Sequence, residues 1–377
     1  MRAMSVRIEP VENRAQLRRF VTLPWSLYGD DPRWVPPLVG ETTKGFDPRH
    51  NPFFAHGEMA LFLARRDGRL VGRIAAIRNR AHESFHDEPV GFFGFFECAD
   101  DDAAAEALLR EAARFARERG LERLRGPVNP TTNDELGTLV DGFDTPPMIL
   151  TPHARPYYDR LLRGCGLEKA KDLVAYVMED AGMPERLERG GAIAQRRNPG
   201  VAVRTIDMRR FGAELDRVRD VYNRSWERNW GFVPMTEAEV AHMARQLKPV
   251  VDPALVVFAE RDGVPVGFAL GMPDVHQALR RLNGRLLPIG WLKLIWHLRR
   301  VSQIRVMALG LVPDARGTGI DVMLYRQLYR NAVARGYQRG EFSWILEDNT
   351  AMRKPLETIG ARVYKTWRIY EAPADGL

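Results

Sequence analysis

The sharpest chemical signal in the chain is the run LGLVPDARGTGIDVMLYRQLYRNAVARG at 309–336. An apolar strand enters a Pro and Gly turn, then a helix-patterned stretch with Val322, Leu324, Tyr325, Leu328 and Tyr329 on one side. A glycine turn opening a helix presents backbone N–H groups that have no partner within the helix, at the positive end of its dipole. A diphosphate needs such a place. Arg316 adds direct charge, and Gly317 and Gly319 let an anion approach the backbone because no side chain stands in the way.

The elements that must position this turn occur twice. Residues 61–72 read LFLARRDGRLVG and residues 256–267 read VVFAERDGVPVG. Ala64, Arg66, Asp67, Gly68, Val71 and Gly72 recur as Ala259, Arg261, Asp262, Gly263, Val266 and Gly267. Each copy is an apolar run broken by Asp-Gly, a strong hairpin signal. A strand follows in each (90–98 and 304–312), then a helix ending at Gly120 or Gly336 and a further strand. A short helix ending at Gly166 or Gly360 and a closing strand complete the unit. The same order of elements twice predicts a duplication. The second copy carries an insertion after its hairpin, 275–303, and the first carries one at roughly 130–152. The stretch 186–200, rich in Gly and charge, reads as a linker between residues 1–185 and 201–377.

The strand, Pro, Arg-Gly-x-Gly turn and helix resemble the acyl-CoA motif of the GNAT superfamily of N-acyltransferases. With the preceding hairpin and the later strand, Asn349 and Gly360, the resemblance covers roughly 200–377. It implies an α/β (α+β) fold of two tandem units, each a mixed, mostly antiparallel sheet flanked by helices. The cofactor-binding set would be the backbone of Leu311 and Val312 against the pantetheine arm, and Arg316, Gly317, Thr318, Gly319, Ile320 and Asp321 around the diphosphate. Asn349 would lie near the cofactor. The implied reaction is direct attack of an amine on the thioester carbonyl of acyl-CoA, acetyl or longer. The family pattern asks for a small residue where Asp321 stands, which leaves an acyl-carrier thioester open as donor. It often has a tyrosine seven residues after the asparagine, where this chain has Leu356. Those two departures favour the rival reading, a catalytically silent ligand-binding protein. In the first copy the corresponding turn is Cys98-Ala99-Asp100-Asp101-Asp102; three aspartates cap a helix and repel a diphosphate, so that unit reads as degenerate.

Amine acylation sets two demands. An alkyl ammonium with a pKa near 10 must lose a proton at neutral pH. The thioester oxygen needs an N–H donor as charge develops, which a bulged fourth strand supplies. Glu341 and Glu347 would share one face of the fifth strand by period-two alternation and serve as proton relays, or stand as solvated carboxylates. Tyr364 is the candidate acid. On the acceptor side, Tyr222, Trp226 and Trp230 with Asn223 and Asn229 form an aromatic and amide cluster. Trp226 and Trp230, four apart, would share a helical face, either lining an amphipathic amine's pocket or packing on the sheet. The polar segment 129–148 either lines the acceptor site or caps the structure.

The insertion contains RRLNGRLLPIGWLKLIWHLRR at 280–300. A helix from Pro288 would align Lys293, His297 and Arg300, too short to cross a bilayer of about 30 Å. It reads as a helix lying in a membrane interface, or one packing on protein. The remaining composition excludes more than it selects. Net charge is +7, but with seven lysines against 49 arginines and no nucleic-acid motif, no nucleic-acid partner is expected. Two cysteines make no disulfide framework, the scattered histidines predict no metal, and the start MRAMSVRIEP has no signal-like apolar run. The expectation is a cytoplasmic protein, with peripheral membrane contact through 280–300 open.

Overall fold

The computed structural model of the chain describes residues 6–179 and 182–377. Of the N-terminal stretch read for a signal, Met1–Ser5 lie outside the described residues. In chain order the elements begin with β1 (Arg7–Pro10), α1 (Arg14–Thr22), α2 (Pro24–Tyr28), α3 (Val39–Gly45), β2 (Gly57–Arg66), β3 (Arg69–Asn79), α4 (Arg80–His86) and β4 (Val90–Cys98). There follow α5 (Asp102–Arg117), β5 (Arg123–Gly126), β6 (Val128–Asn129), β7 (Glu135–Leu136), β8 (Thr138–Asp141), α6 (Tyr158–Gly164) and β9 (Glu168–Glu179). The second half runs α7 (Glu185–Arg197), β10 (Val201–Thr205), α8 (Phe211–Trp226), α9 (Glu237–Leu247), β11 (Val256–Arg261), β12 (Val264–Pro273) and α10 (His276–Leu279). It closes with α11 (Gly290–Leu298), β13 (Gln303–Leu311), α12 (Ile320–Ala334), β14 (Arg339–Leu346), α13 (Thr350–Thr358) and β15 (Arg362–Pro373).

Two compact units result. Unit 1 comprises the residues up to Leu173 with Ala278–Leu294 and Lys365–Leu377; unit 2 comprises Val174–Gln277 and Ile295–Tyr364. The sheet of unit 1 runs β1-β2-β3-β4-β5-β15 and that of unit 2 runs β9-β14-β13-β12-β11-β10. Within each, β4–β5 and β13–β14 are parallel, while the hairpins and the strands flanking them are antiparallel. Both predicted hairpins form. Asp67 and Gly68 have φ of +50° and +77°, Asp262 and Gly263 +52° and +77°. Two successive left-handed residues make the turn whose twist matches that of paired strands.

Residues 186–200 are not a linker: helix α7 occupies most of them. Gly190 and Gly191 each disfavour a helix by about 1 kcal/mol relative to alanine. Packing outweighs that. A Cβ on Gly191 would come within 2.2 Å of the Arg326 side chain of α12, so the glycine is what permits the close approach. Glu188 binds Arg326 and Arg330, and Leu187 and Ala194 are buried. The units are also not the consecutive blocks 1–185 and 201–377. Most of β15, from the C-terminal end of the chain, completes the sheet of unit 1, Tyr370 pairing with Gly126. The second half of β9, from the first half of the chain, belongs to unit 2.

Helix α12 covers the sheet of unit 2 through buried Ile320, Met323, Leu324, Tyr325, Leu328 and Ala332, the three- and four-residue spacing of one helical face. In unit 1, α5 does the same with five buried alanines, two leucines and Phe115.

Candidate active site

Strands β13 and β14 pair only from Gln303 and Arg339 to Val306 and Phe342, then continue apart to Leu311 and Leu346. This fork is the centre of the site. On its other side β13 pairs with β12, and the register slips: Leu270 faces Ala308 but Gly271 faces Val306. Met307 is therefore the extra residue of a β-bulge, which re-aims the backbone beside the fork. The Val312 N–H donates to the Val266 carbonyl at 3.0 Å, so by alternation Leu309 and Leu311 direct theirs to the opened edge. Leu311 and Val312 thus face opposite edges, and only the first of them is turned toward the fork.

Past the fork lies the glycine turn. Gly317 and Gly319 have φ of +72° and +88°, conformations that L side chains rarely adopt. The backbone N–H groups of Gly317, Thr318, Gly319, Ile320, Asp321 and Val322 have no acceptor among the described residues. Six consecutive donors at the start of a four-turn helix concentrate positive potential at this turn. The surroundings hold the turn in place: the Thr318 hydroxyl donates to the Ala315 carbonyl at 2.7 Å, and the Thr318 carbonyl accepts from Asn198 at 3.0 Å. Ile320 is a buried anchor. Arg316 donates to the carbonyls of Ser225 (2.7 Å) and Leu311 (3.4 Å), so its guanidinium also braces the end of α8. Asp321 sits in the first turn of α12, favourable for the helix dipole and unfavourable beside a bound phosphate.

A buried polar cluster stands at the closed end of the fork. Arg305 and Glu341 are register partners across β13 and β14, 2% and 0% exposed. The Arg305 Nε lies 3.6 Å from the carboxylate and donates to the Ser343 Oγ at 2.8 Å. Ser343 donates to Glu341 at 2.5 Å, and the Tyr364 hydroxyl donates to the other carboxylate oxygen. Full pairing is what makes a carboxylate tolerable at this depth. Burial, reinforced by the Glu341 charge, pushes the Tyr364 phenol well above its ordinary value, so it keeps its proton at neutral pH. Sequence reasoning missed Arg305 and Ser343. Ser343 was legible two residues from Glu341 on one strand face; Arg305 required the parallel register.

Other expected residues are placed differently. Glu347 comes after the end of β14, so it shares no strand face with Glu341, and its carbonyl accepts from Arg353 at 2.5 Å. Asn349 caps α13, its side chain accepting from the Met352 N–H at 3.2 Å. Leu356 is fully buried in the core of unit 2. Helix α8 ends at Trp226, so Trp230 falls in the following turn rather than on the same helical face. Tyr222 stacks on Trp226 at 4.6 Å between ring centroids and meets Phe232 at 5.6 Å. The Trp226 ring covers the backbone of Gly310: a Cβ there would lie 2.3 Å from it. The Asn223 amide is engaged with both backbone groups of Met235, so it ties the loop to the helix. Asn229 shapes the turn through its backbone, donating to Trp226 and accepting from Phe232.

Unit 1 has the same fork, but it is filled. Strands β4 and β5 pair from Val90 and Arg123 to Phe92 and Arg125, and β4 then bulges, with Phe95 at φ +49°. The Phe95 N–H donates to the Asn129 side chain at 2.6 Å. A Cβ on Gly94 would meet the Val128 carbonyl at 2.1 Å. Segment 129–148 thus begins as a plug in unit 1's own fork, and its later strand β8 pairs with β15. The aspartates are occupied too. Asp101 caps α5 and binds Arg66, while Asp100 and Asp102 bind Arg160.

A bulged strand forking from its parallel neighbour and leading into a helix, built twice and with a glycine turn in the second copy, matches the fold of tandem GNAT proteins. The tandem GNAT protein from the clavulanic acid biosynthesis pathway superposes with a TM-score of 0.58 over 98% of this chain and 99% of that one, at 13% identity. A GCN5-related N-acetyltransferase from Sphaerobacter thermophilus gives 0.53 over 98% and 96%, also at 13% identity. No family model matches the chain. Curated relatives do. A Caulobacter vibrioides protein named bacterial ceramide synthase is 40% identical over 375 residues, 96% of each chain. Protein YghO of Escherichia coli is 36% identical over 365 residues, 95% of this chain and 93% of the relative. The chain belongs to the family of these two proteins and has the fold of tandem GNAT proteins. Among the described residues no helix is long and apolar enough to cross a membrane, and no His, Cys, Asp and Glu group is arranged to hold a metal.

Proposed function

We propose that unit 2 transfers a fatty acyl group from acyl-CoA to the amine of a long-chain amino alcohol, giving a ceramide-like amide. The observation that carries this reading is the row of six N–H donors opening α12 beside the unpaired end of β13. Such a row would suit a diphosphate, with the open strand edge beside it for a pantetheine arm. The sphingoid class of acceptor comes from the name of the Caulobacter vibrioides relative. A shallow apolar groove lined by Val306, Phe342, Tyr325, Leu328 and Ile359 reaches the fork; its enclosed space is only about 50 Å³, so a tail would lie along it rather than inside it. We assign it to the acyl tail. Unit 1, its fork plugged by Asn129, would hold no thioester.

In this mechanism the neutral amine nitrogen attacks the thioester carbonyl, the C–N bond forms and the C–S bond breaks, and the proton that the nitrogen sheds as it becomes an amide goes to the departing sulfur, which leaves as the thiol. Backbone donors near the Met307 bulge receive the charge that develops on oxygen. Before attack, the ammonium's first proton passes to the Tyr364 oxygen as the Tyr364 proton moves to Glu341, so the buried carboxylate is the terminal base and Tyr364 its conduit. Arg305 and Ser343 are positioning residues for Glu341. Leu356 in the family's tyrosine slot supports the rival, a silent binding protein.

The test is incubation of the purified protein with palmitoyl-CoA and sphinganine, with mass spectrometry for the amide and calorimetry for acyl-CoA binding. Amide formation supports the reading. Binding without amide supports the silent module. If acyl-CoA gives neither heat nor product but an acyl-carrier thioester gives product, the donor assignment is wrong.

A further inference from the structure

The segment from Leu287 to Trp296 shows an arrangement that the acyl-transfer site does not use. Leu287, Ile289, Trp291, Leu292, Ile295 and Trp296 are 47–80% exposed, six large apolar side chains within ten residues. A cluster of that kind on a water-facing surface marks a contact. Its base is fixed: the Trp25 indole donates to the Asn283 side chain at 2.8 Å, the Gly284 carbonyl accepts from the Val39 N–H at 3.2 Å, and Leu282 is buried. The apolar residues are therefore presented by an anchored stem.

Charge selects the occupant. Arg280, Arg281, Arg285, Lys293, Arg299 and Arg300 are all exposed, and no aspartate or glutamate occurs from Val275 to Pro313. Two copies of this chain meeting through such a face would bring like charges together. An anionic lipid surface would neutralise them and receive the apolar side chains at the same time. The Arg300 guanidinium lies 3.6 Å from the centroid of the Trp296 ring, pairing a headgroup-binding cation with an indole, the side chain that favours the boundary between lipid and water. Helix α11 has nine residues, about 14 Å, so it would lie along the surface rather than enter it.

We propose that residues 287–300 dock the protein on an anionic bilayer, with Trp291, Ile295 and Trp296 in the interface and Arg299 and Arg300 at the headgroups. The reading goes beyond acyl transfer and does not rest on it. The experiment is flotation of the full chain with phosphatidylcholine vesicles, with and without 30 mol% phosphatidylglycerol (about a third anionic, to give a negative surface). Binding is expected only with the anionic lipid and should weaken with salt. Trp291→Ser with Trp296→Ser, and separately Arg299→Glu with Arg300→Glu, should each lower partitioning by about tenfold or more. Val264→Ser, an exposed apolar side chain elsewhere, should change nothing. No binding to anionic vesicles overturns the proposal, as does equal binding by all variants. So does concentration-dependent self-association that the tryptophan variant abolishes, because the occupant is then a second copy. No substrate is present, so a negative result leaves the acyl-transfer reading standing.

Discussion

Removal of the Tyr364 hydroxyl separates a proton relay from a structural hydrogen bond. Tyr364→Phe keeps the ring beneath the Arg339 guanidinium, 5.3 Å from its centroid, and leaves Glu341 with Ser343 and Arg305. Losing one donor to a buried charged group costs about 1–3 kcal/mol, which thermal unfolding will register. The kinetic consequence has a distinct shape. Because its phenol is pushed well above the ordinary value, Tyr364 does not titrate in the assay range, whereas the amine does. An amine with a pKa near 10 is free base to about one part in a thousand at pH 7 and one in ten at pH 9. Without the relay only that fraction reacts. The variant should therefore lose up to about a thousandfold in kcat/KM for the amine at pH 7, but only about tenfold at pH 9. Its rate should climb close to tenfold per pH unit while wild type climbs less. Profiles for the two proteins that run parallel from pH 7 to 9 would refute the relay and leave Tyr364 a structural partner of Glu341.

Three further outcomes follow from the geometry. Gly317→Ala places a Cβ in open space at φ +72°, costing about 1–2 kcal/mol in backbone strain while obstructing an anion; acyl-CoA affinity measured by calorimetry should fall about tenfold, and an unchanged affinity would move the phosphates elsewhere. Asp321→Asn removes a negative charge from the first turn of α12, so acyl-CoA should bind several-fold more tightly at low salt, with the gain fading at about 1 M salt; equal affinity at low salt would show that the side chain faces away. His82 is 1% exposed, and burial, followed by the neighbouring His86 and Arg125 charges, lowers its pKa from 6.5 to about 3. The unfolded chain then binds a proton that the folded one refuses, so stability is intact above pH 6.5 and declines below it by about 1.4 kcal/mol per unit. His82→Leu should remove that increment from the slope of urea-unfolding free energy against pH; identical slopes would mean that His82 protonates in place.

The duplication was legible because Asp-Gly turns and glycine stops act locally. Asp67-Gly68 and Asp262-Gly263 specify the same turn whatever surrounds them. The glycine turn before α12 was legible for the same reason, since Gly317 and Gly319 meet a local need for positive φ. Helix α7 was hidden: its glycines contradict local propensity, and Arg326, distant in sequence, resolves the contradiction. Glu347 was misplaced because alternation says nothing about where a strand ends. Leu311 and Val312 were taken together although strand geometry alone sends neighbouring residues to opposite edges.

Short-range chemistry thus determined the hairpins, the helix stops, the glycine turn and the apolar, wholly basic segment at 275–313, each written in consecutive residues. Tertiary structure decided which strands complete which sheet, that Asn129 fills one fork while the other stays open, and that Arg305, Ser343 and Tyr364 converge on Glu341. Those outcomes depend on register and packing between residues far apart in the chain. No local pattern encodes them, because their free energy exists only once the partners have met.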